Sequence, residues 1–542
     1  QALAAIDPQQ TWELEGYAYQ LAGKLEDAEK TYDAALKASP NRFQIRKLAV
    51  ETKLQNRHVA QSQSLLREFL ATPELSGDAA NVAWARRTLA LSLAATGTYP
   101  NYVQALELVD TNLQSAAVSD ADRRAEAIIR ASFPTLESRN KALESLSKLA
   151  ERPNVLSPDD RIVMARLLRS RGQWVKSSQV FRDVVARSRD PRHLAAYIDA
   201  LLSEKELAAA DDWLRRLEAL APGDFVTADL RARLLAGEGR YTEAFDRIVA
   251  SLGEEPGVSS TSLARRRAAS FRLEDLGNEL ARLNRKDEGR QFFARAEALL
   301  TNQDAPNGQK GVEKPSVDYL QFLVRRGRGP DALAQFDRIA AAGRTAERDR
   351  ACMAVAAWSL TDKELLNRLE RSLAHVAERW PTYSAWVALA AVQDRLEKFD
   401  DEEVSYRRAL ALDDGTRIDA LNNLAYLLAL RKKDLPEAQT LVGRAIALMG
   451  PRTALLDSRA LVELAAEQTS AALSDLEKAA NDGGAAVHLF HLARVRMLNG
   501  QVEEARAALR KALENGLTES SLNRLEASDL QELKAKLEGS RG

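Results

Sequence analysis

Apolar residues recur along this chain with the spacing of an amphipathic α-helix. Segments such as AFDRIVASL (residues 244–252) and ARAALRKALENGL (residues 505–517) place apolar side chains at positions i, i+3, i+4 and i+7, which share one helical face. Helix-forming residues dominate the sequence, whereas the alternation of β-branched and polar residues that marks a strand is nearly absent. The pattern therefore predicts an all-α protein.

Short polar turns interrupt the helical pattern, and residues of fixed size follow each turn. The turns LAGKLEDA, AGEGRYTEA and LNGQVEEA each end on an alanine that opens the next helix. Four residues after that alanine comes a large apolar residue, and three residues further on comes a small one. The three sets are Ala28, Tyr32 and Ala35; Ala244, Ile248 and Ser251; and Ala505, Leu509 and Ala512.

The last small position gives the period of the repeat. Near the C-terminus it falls at Ala409, Ala445, Ala479 and Ala512, which are about 33 to 36 residues apart, the spacing of a two-helix repeat. One helix hairpin cannot bury both of its apolar faces, so successive hairpins stack. Small residues at the crossings let the helices approach closely, and a ring beside them fills the remaining gap.

These positions resemble the tetratricopeptide repeat family. The first unit carries the residues of the family signature at Trp12, Gly16, Tyr19, Ala28, Tyr32, Ala35 and Pro40. It departs from the signature at Glu15, where the family has leucine. Two C-terminal units also match, one with Trp386, Leu389, Ala390, Tyr406 and Ala409, and one with Leu492, Ala493, Ala505, Leu509 and Ala512. The middle units keep only residue size and spacing, and about fourteen units cover nearly the whole chain.

The resemblance implies a right-handed superhelical solenoid whose concave groove is lined by the first helix of each pair. We expect a bacterial-type multi-repeat protein with an N-terminal solenoid at 1–300, a loop or hinge at 301–316, a C-terminal solenoid at 317–516, and a capping helix and tail at 517–542. The apolar pattern also stretches over residues 262–283, which predicts helices longer than the standard repeat.

Composition and charge narrow the function classes. The 542 residues are 45% hydrophobic, and 77 basic and 78 acidic residues leave a net charge of -1, so no global field favours nucleic acid or an anionic membrane. No apolar run approaches ~18 residues, so we expect no membrane insertion. A single cysteine, Cys352, excludes an intramolecular disulfide. We interpret Gln1 as a processed end or a cut within a longer chain, which leaves localisation open between the bacterial cytoplasm and the periplasm or secreted fraction.

Patterns of catalytic chemistry are missing from the sequence. It has no phosphate-binding glycine loop, no dinucleotide fingerprint and no nucleophile elbow. His488 and His491 lie one helical turn apart, but a closed metal site needs further ligands, so we interpret them as packed or solvent-side residues. We therefore expect no catalytic residue, no cofactor and no metal. A catalytic domain outside this chain is left as a third hypothesis.

The leading functional hypothesis is a non-enzymatic scaffold for protein–protein interaction, which presents its concave groove to a peptide or helix of a partner in a multiprotein assembly. The alternative is a periplasmic or secreted accessory subunit of an envelope or polysaccharide-export machine. In both cases we expect a protein partner and no nucleic acid, and the oligomeric state is open.

First-helix residues about four apart would form the binding wall. In the C-terminal units this predicts a partner-binding strip of Asn422, Tyr426, Asp457, Leu461, Phe490, Arg494 and Met497. Aromatic residues and arginine are common hot-spot anchors, and methionine adapts to varied side chains. The competing interpretation is that Tyr426 and Phe490 pack against their own second helices.

Overall fold

All regular structure in the described part of the chain is helical. The computed structural model describes residues 8–72, 75, 78–115, 118–253, 260–301, 316–413 and 415–539. Within these ranges there is no β-strand, and the helices follow one another in pairs. The prediction of an all-α solenoid built from about fourteen helix-turn-helix repeats is thereby confirmed.

Fourteen helix pairs precede a last single helix in the described residues. In chain order the pairs are α1 (Pro8–Leu21) and α2 (Leu25–Ala38); α3 (Phe43–Gln55) and α4 (Val59–Ala71); α5 (Ala79–Ala94) and α6 (Tyr99–Leu113); α7 (Asp120–Ser132) and α8 (Leu136–Ala150); α9 (Pro158–Ser170) and α10 (Trp174–Arg187); α11 (Pro191–Ser203) and α12 (Leu207–Leu220); α13 (Phe225–Gly237) and α14 (Tyr241–Ala250); α15 (Ser260–Arg282) and α16 (Lys286–Thr301); α17 (Val317–Arg325) and α18 (Gly329–Ala342); α19 (Thr345–Ala356) and α20 (Lys363–Arg379); α21 (Tyr383–Arg395) and α22 (Phe399–Ala411); α23 (Asp419–Leu430) and α24 (Leu435–Met449); α25 (Thr453–Ala465) and α26 (Thr469–Asn481); α27 (Ala486–Leu498) and α28 (Val502–Glu514).

The turn inside a pair repeats one hydrogen-bonding pattern. After α1, Gly23 adopts φ of 71°, and the Lys24 N–H donates to the Tyr19 carbonyl at 2.9 Å, which closes the helix end. The turn after α27 has the same form, with Gly500 at φ of 75° and the Gln501 N–H donating to the Arg496 carbonyl. Other repeats use a residue with a side chain at this left-handed place: Arg57, Lys205, Asn284, Glu397 and Glu467.

The packing predicted for the first repeat is present. Ala28, Tyr32 and Ala35 are fully buried. A Cβ on Gly16 would lie 2.4 Å from the Tyr32 ring, so the ring occupies space that only a glycine leaves free. The residue sizes in the sequence therefore encode the contact between the two helices of a pair.

Stacking also brings successive first helices into contact, as α23 with α25 and α25 with α27. The longer helix predicted over residues 262–283 is α15, which has 23 residues. No described helix combines the length and the hydropathy that crossing a bilayer requires.

The chain divides into two compact units, one of Gln1–Val180 with Ala447–Gly450 and one of Phe181–Ile446 with Pro451–Gly542. The hinge predicted at 301–316 lies almost wholly outside the described residues, so the four-part domain division stays a prediction. All of the site residues below belong to the second unit.

Residues after the last pair form two 3₁₀ turns, Glu519–Ser521 and Arg524–Glu526, and then α29 (Ala527–Gly539). Leucines of this segment share one apolar cluster with residues of α27 and α28. They are Leu517, Leu522, Leu530, Leu533 and Leu537. The segment is therefore fixed to the last helix pair by apolar burial.

Candidate functional site

The predicted strip lies on three first helices of the second unit. Asn422 and Tyr426 are on α23, Asp457 and Leu461 on α25, and Phe490, Arg494 and Met497 on α27. Residues 522–529 of the chain lie against these helices and against α21. We call residues 522–529 the tail segment.

Three side chains from two repeats converge on the carboxylate of Glu526 in the tail segment. The Tyr426 hydroxyl donates to Glu526 Oε2 at 2.5 Å. Arg494 Nη1 donates to Oε1 at 3.0 Å, and His491 Nε2 lies 3.0 Å from the same oxygen. Glu526 is fully buried, so these donors replace all of the water that the carboxylate would otherwise bind.

His491 is held by carboxylates on both ring nitrogens. Its Nδ1 lies 2.8 Å from Asp457 Oδ1, opposite the contact with Glu526. Burial by itself would lower the pKa of His491, but the charges of Asp457 and Glu526 outweigh burial and raise the pKa to about 10. The ring is therefore an imidazolium at neutral pH and donates from both nitrogens.

The same charges act on the bound carboxylate. Burial would raise the pKa of Glu526, but His491, Tyr426 and Arg494 together hold that pKa below its usual value. Arg494 also pairs through Nη2 with Asp529 Oδ2 at 2.5 Å, and its guanidinium lies 5.5 Å from the centre of the Phe490 ring. Arg494 thus binds two acidic residues of the tail segment, Glu526 and Asp529, while its guanidinium contacts the ring of Phe490.

The other end of the tail segment contacts α21. The side-chain amide of Asn523 donates to Asp394 Oδ1 at 2.9 Å. Asn523 and Asp394 are 129 positions apart in the sequence, and Tyr426 and Glu526 are 100 apart. The tail segment therefore touches α21, α23 and α27 directly and α25 through His491. We call the face formed by Asp394, Tyr426, Asp457, His491 and Arg494 the covered wall.

A second buried acid lies behind Asp394. Glu402 on α22 is buried, and its Oε2 has no hydrogen-bond partner among the described residues. Burial, with a smaller contribution from Asp394, raises the pKa of Glu402 to about 9, so this side chain is protonated at neutral pH. Burial also raises the pKa of Asp394 itself. Arg395 acts in the opposite sense on Asp394, and Arg431 on Glu402, but burial outweighs both.

The predicted strip divides according to position in the repeat. Tyr426, Asp457 and Arg494 belong to the covered wall. Leu461 and Phe490 are 3% and 0% exposed and offer no surface, although each lies four residues from a wall residue, Asp457 or Arg494.

The two remaining strip residues are only half-buried. Asn422 donates from its side-chain amide to Asn423 Oδ1 at 3.3 Å, and Met497 packs against the apolar cluster of the last pair. Whether the strip binds a partner stays a prediction.

Sequence reasoning did not assign His491 or Glu526 to this site. His491 was considered only with His488, whose Nδ1 instead accepts a hydrogen bond from the Ala485 N–H at 2.9 Å. The signal for His491 was its position, 34 residues after Asp457, which is one repeat.

Across the described residues, no group of three or more histidine, cysteine or acidic side chains is arranged to hold a metal ion. Cys352 is buried, and burial raises the pKa of its thiol to about 12, so it is not a nucleophile at neutral pH.

A cavity of about 520 Å³ opens between α17, α19 and α21, further along the same row of first helices. Arg325 in its lining is paired with Glu274 Oε2 at 2.7 Å. Met353 is 37% exposed, and Arg350 is exposed and has no ion pair with the described residues. We call this space, with Arg325, Arg350 and Met353 in its lining, the open cavity.

Comparison with solved structures finds matches of low identity and low TM-score. The chain is similar to "APC/C hetero-tetramer Cut9-Hcn1", at 13% identity and a TM-score of 0.33, over 99% of this chain and 91% of the other. It is similar to human IFIT1, solved as a dimer with PPP-AAAA, at 13% identity and a TM-score of 0.33, over 75% and 91%. It is also similar to Naa15/Naa10 bound to HypK-THB, at 12% identity and a TM-score of 0.32, over 93% and 80%.

Comparison with curated proteins finds no match. A family model does match the first helix pair, over residues 9–42, and its description is tetratricopeptide repeat. The matched range contains Trp12, Gly16, Tyr32 and Pro40, the residues on which the resemblance rested. Residues 9–42 of this chain are therefore similar to a tetratricopeptide repeat.

Proposed function

We propose that this chain is a non-enzymatic binding scaffold whose first helices hold a peptide segment of another protein. The observation that carries the proposal is the covered wall, where side chains from separate repeats already hold a polypeptide segment. Asp394, Tyr426 and Arg494 reach the tail segment from three different helices. Binding of an extended segment by side chains of successive repeats is what a stacked-helix surface offers.

The contacts of the covered wall favour specific recognition. Hydrogen bonds to a charged group contribute roughly 1.5–3 kcal/mol each, more than neutral ones. Glu526 accepts from Tyr426, His491 and Arg494 together. An apolar side chain in the place of Glu526 would leave His491 with Asp457 alone and Arg494 with Asp529 alone, and the Tyr426 hydroxyl without its acceptor, so the wall favours an acidic residue.

The open cavity supplies free space on the same row of helices. It shares α21 with the covered wall, and Arg350 and Met353 give it one cation and one adaptable apolar side chain. A partner segment that lies along the first helices has room here without any rearrangement. The alternative role, in an envelope or polysaccharide-export machine, stays a prediction of the sequence.

A photo-crosslinking amino acid placed at Met353 tests the proposal in the full chain. We expect crosslinks in native extract to a defined segment of one or a few proteins. The matched control is the same amino acid at Val404, which is 51% exposed on the second helix α22. Identical crosslinked proteins at both positions, or none at Met353, would contradict the proposal.

A further inference from the structure

We propose that the tail segment is an intrachain ligand, and that the covered wall exchanges it for a partner segment with a carboxylate at the place of Glu526 and a cation at the place of Asn523. This inference rests on the proposed function and names the chemistry of the partner. The tail segment supplies the template, since it lies on the wall through side chains whose spacing along the peptide is known.

The attachment of the C-terminal residues has two separate parts. Leu530, Leu533 and Leu537 of α29 are buried in the apolar cluster of the last pair. The wall contacts of residues 523–526, by contrast, are polar and come from Asn523, Arg524 and Glu526. Residues 523–526 can therefore leave the wall while Leu522 and the leucines of α29 stay buried, which keeps these residues nearby at high effective concentration.

The α27 end of the wall fixes the acidic residue of the partner. His491 pairs with Asp457 and Arg494 with Asp529, and both cations also contact Oε1 of Glu526. A carboxylate at this place accepts from both, and the phenol of Tyr426 adds a third donor to Oε2. A neutral amide at this place would have to turn its own donors toward those of the wall.

The α21 end of the wall determines which partner residue suits the place of Asn523, and Asn523 itself suits that place poorly. Asp394 receives one neutral amide donor from Asn523, at 2.9 Å. A lysine or arginine in the place of Asn523 would donate a charge-assisted hydrogen bond to Asp394 instead. A partner with that residue binds the wall more tightly than the tail segment does.

Peptide binding to the full chain tests the exchange. The probe is a fluorescent peptide of residues 518–529, in the natural sequence and with Asn523→Lys or Glu526→Gln. On the natural chain we expect the Asn523→Lys peptide to bind at least about 5-fold more tightly than the natural peptide, and the Glu526→Gln peptide at least about 10-fold more weakly. Equal affinities of the three peptides would overturn the proposal.

Chain variants separate displacement from binding elsewhere. Weakening the intrachain ligand with Asn523→Ala and Glu526→Gln is expected to tighten binding of the natural peptide about 10-fold or more, because the competitor is weaker. Adding Arg494→Ala is expected to abolish that gain, whereas Arg510→Ala, an exposed arginine on α28, leaves it unchanged. A gain that survives Arg494→Ala would place the peptide elsewhere and overturn the assignment.

Hydrogen exchange on the natural chain covers the case in which a variant does not fold. Saturating Asn523→Lys peptide is expected to speed amide exchange in residues 518–526 and to leave α29 protected. Unchanged exchange in residues 518–526 would overturn the proposal.

A dimer whose population grows with protein concentration and disappears with Glu526→Gln would also overturn the proposal. The occupant of the wall would then be the tail of a second copy of the chain. Crosslinks at Met353 without any exchange would reject this inference and keep the proposed function.

Discussion

The covered wall and the open cavity are built from the same kind of helix and share α21, yet their polar side chains are in opposite states. In the covered wall, His491 and Arg494 are paired with acids on several sides and the central carboxylate is buried. In the open cavity, Arg350 is exposed and Met353 is partly in water. What separates the two regions is a segment of the chain with matching charge, present at one and absent from the other. The first helices of a repeat array are thus exposed or packed depending on what lies on them.

Among the substitutions that test this difference, Glu526→Ala is expected to change the free energy of unfolding most. Removing one member of a buried ion cluster leaves the others without a partner and costs ~3–5 kcal/mol. We expect that loss in the free energy of unfolding of the C-terminal repeats, measured by urea denaturation with hydrogen exchange to locate it. The control is Glu514→Ala, an exposed acid on α28. A loss below ~1 kcal/mol would mean that the covered wall is as loosely held as the open cavity.

A rise in pH is expected to weaken the covered wall next most strongly. His491 has a pKa of about 10 in the folded chain and an ordinary value of 6.5. A raised pKa stabilises the fold fully below pH 6.5, and that stabilisation is lost as pH rises through about 10. Between pH 7 and pH 10 we expect a loss on the order of 2–4 kcal/mol in the C-terminal repeats. Glu402 titrates in part of this window, so the difference between the natural chain and His491→Gln isolates the histidine. Parallel pH curves for the two proteins would contradict the assignment.

Glu402→Gln is expected to stabilise the α21 end of the covered wall at neutral pH. The folded chain holds a proton on Glu402 up to about pH 9, whereas the unfolded chain releases it near pH 4.5. Folding therefore carries a cost above pH 4.5 that the neutral amide removes, and we expect a gain of ~1–2 kcal/mol at pH 8 and none at pH 4.

The neighbouring residue is the matched control for this change. Burial would raise the pKa of Glu403, but Lys433 and Arg407 outweigh it and lower that pKa, so Glu403→Gln is expected to destabilise. A loss of stability from both substitutions at pH 8 would show that Glu402 is held in its charged form.

The smallest effect is expected in the open cavity. Arg350→Ala removes an exposed side chain, so the free energy of unfolding should change by less than ~0.5 kcal/mol. The same substitution is expected to reduce crosslinking from Met353, because it removes the free cation of the cavity. A stability loss comparable to that of Glu526→Ala would show that Arg350 already forms an ion pair or hydrogen bond within the chain.

Local packing could be predicted from the sequence because its determinants are close together along the chain. Gly16 and Tyr32 lie in one helix pair, and their sizes alone indicate the contact that a Cβ on Gly16 would prevent. The turn at Gly23 could be predicted for the same reason, because glycine is the residue that most readily adopts the positive φ required there. The repeat period and the number of pairs follow from such local features.

The covered wall could be predicted only in part. Tyr426, Asp457 and Arg494 were found from first-helix spacing, but the same four-residue spacing also selected Leu461 and Phe490, which are buried. Side chains four residues apart on a helix differ in direction by about 40°, which is enough to move one of them into the stack. Glu526 was missed because its partners, Tyr426 and His491, are 100 and 35 positions away, and nothing local records where the tail segment turns back.

The order of synthesis gives the tail segment one more consequence. Helices α21, α23, α25 and α27 all precede residues 522–529, so each leaves the ribosome before Glu526 does. Repeat arrays fold by adding neighbours, which allows the wall to form on the nascent chain while its cover is still unmade. A partner encountered during translation meets Arg494 and His491 without a competitor, whereas a partner encountered afterwards has to displace one. Under the proposed exchange, the position of Glu526 after its binding site in the sequence favours a partner that is present during translation.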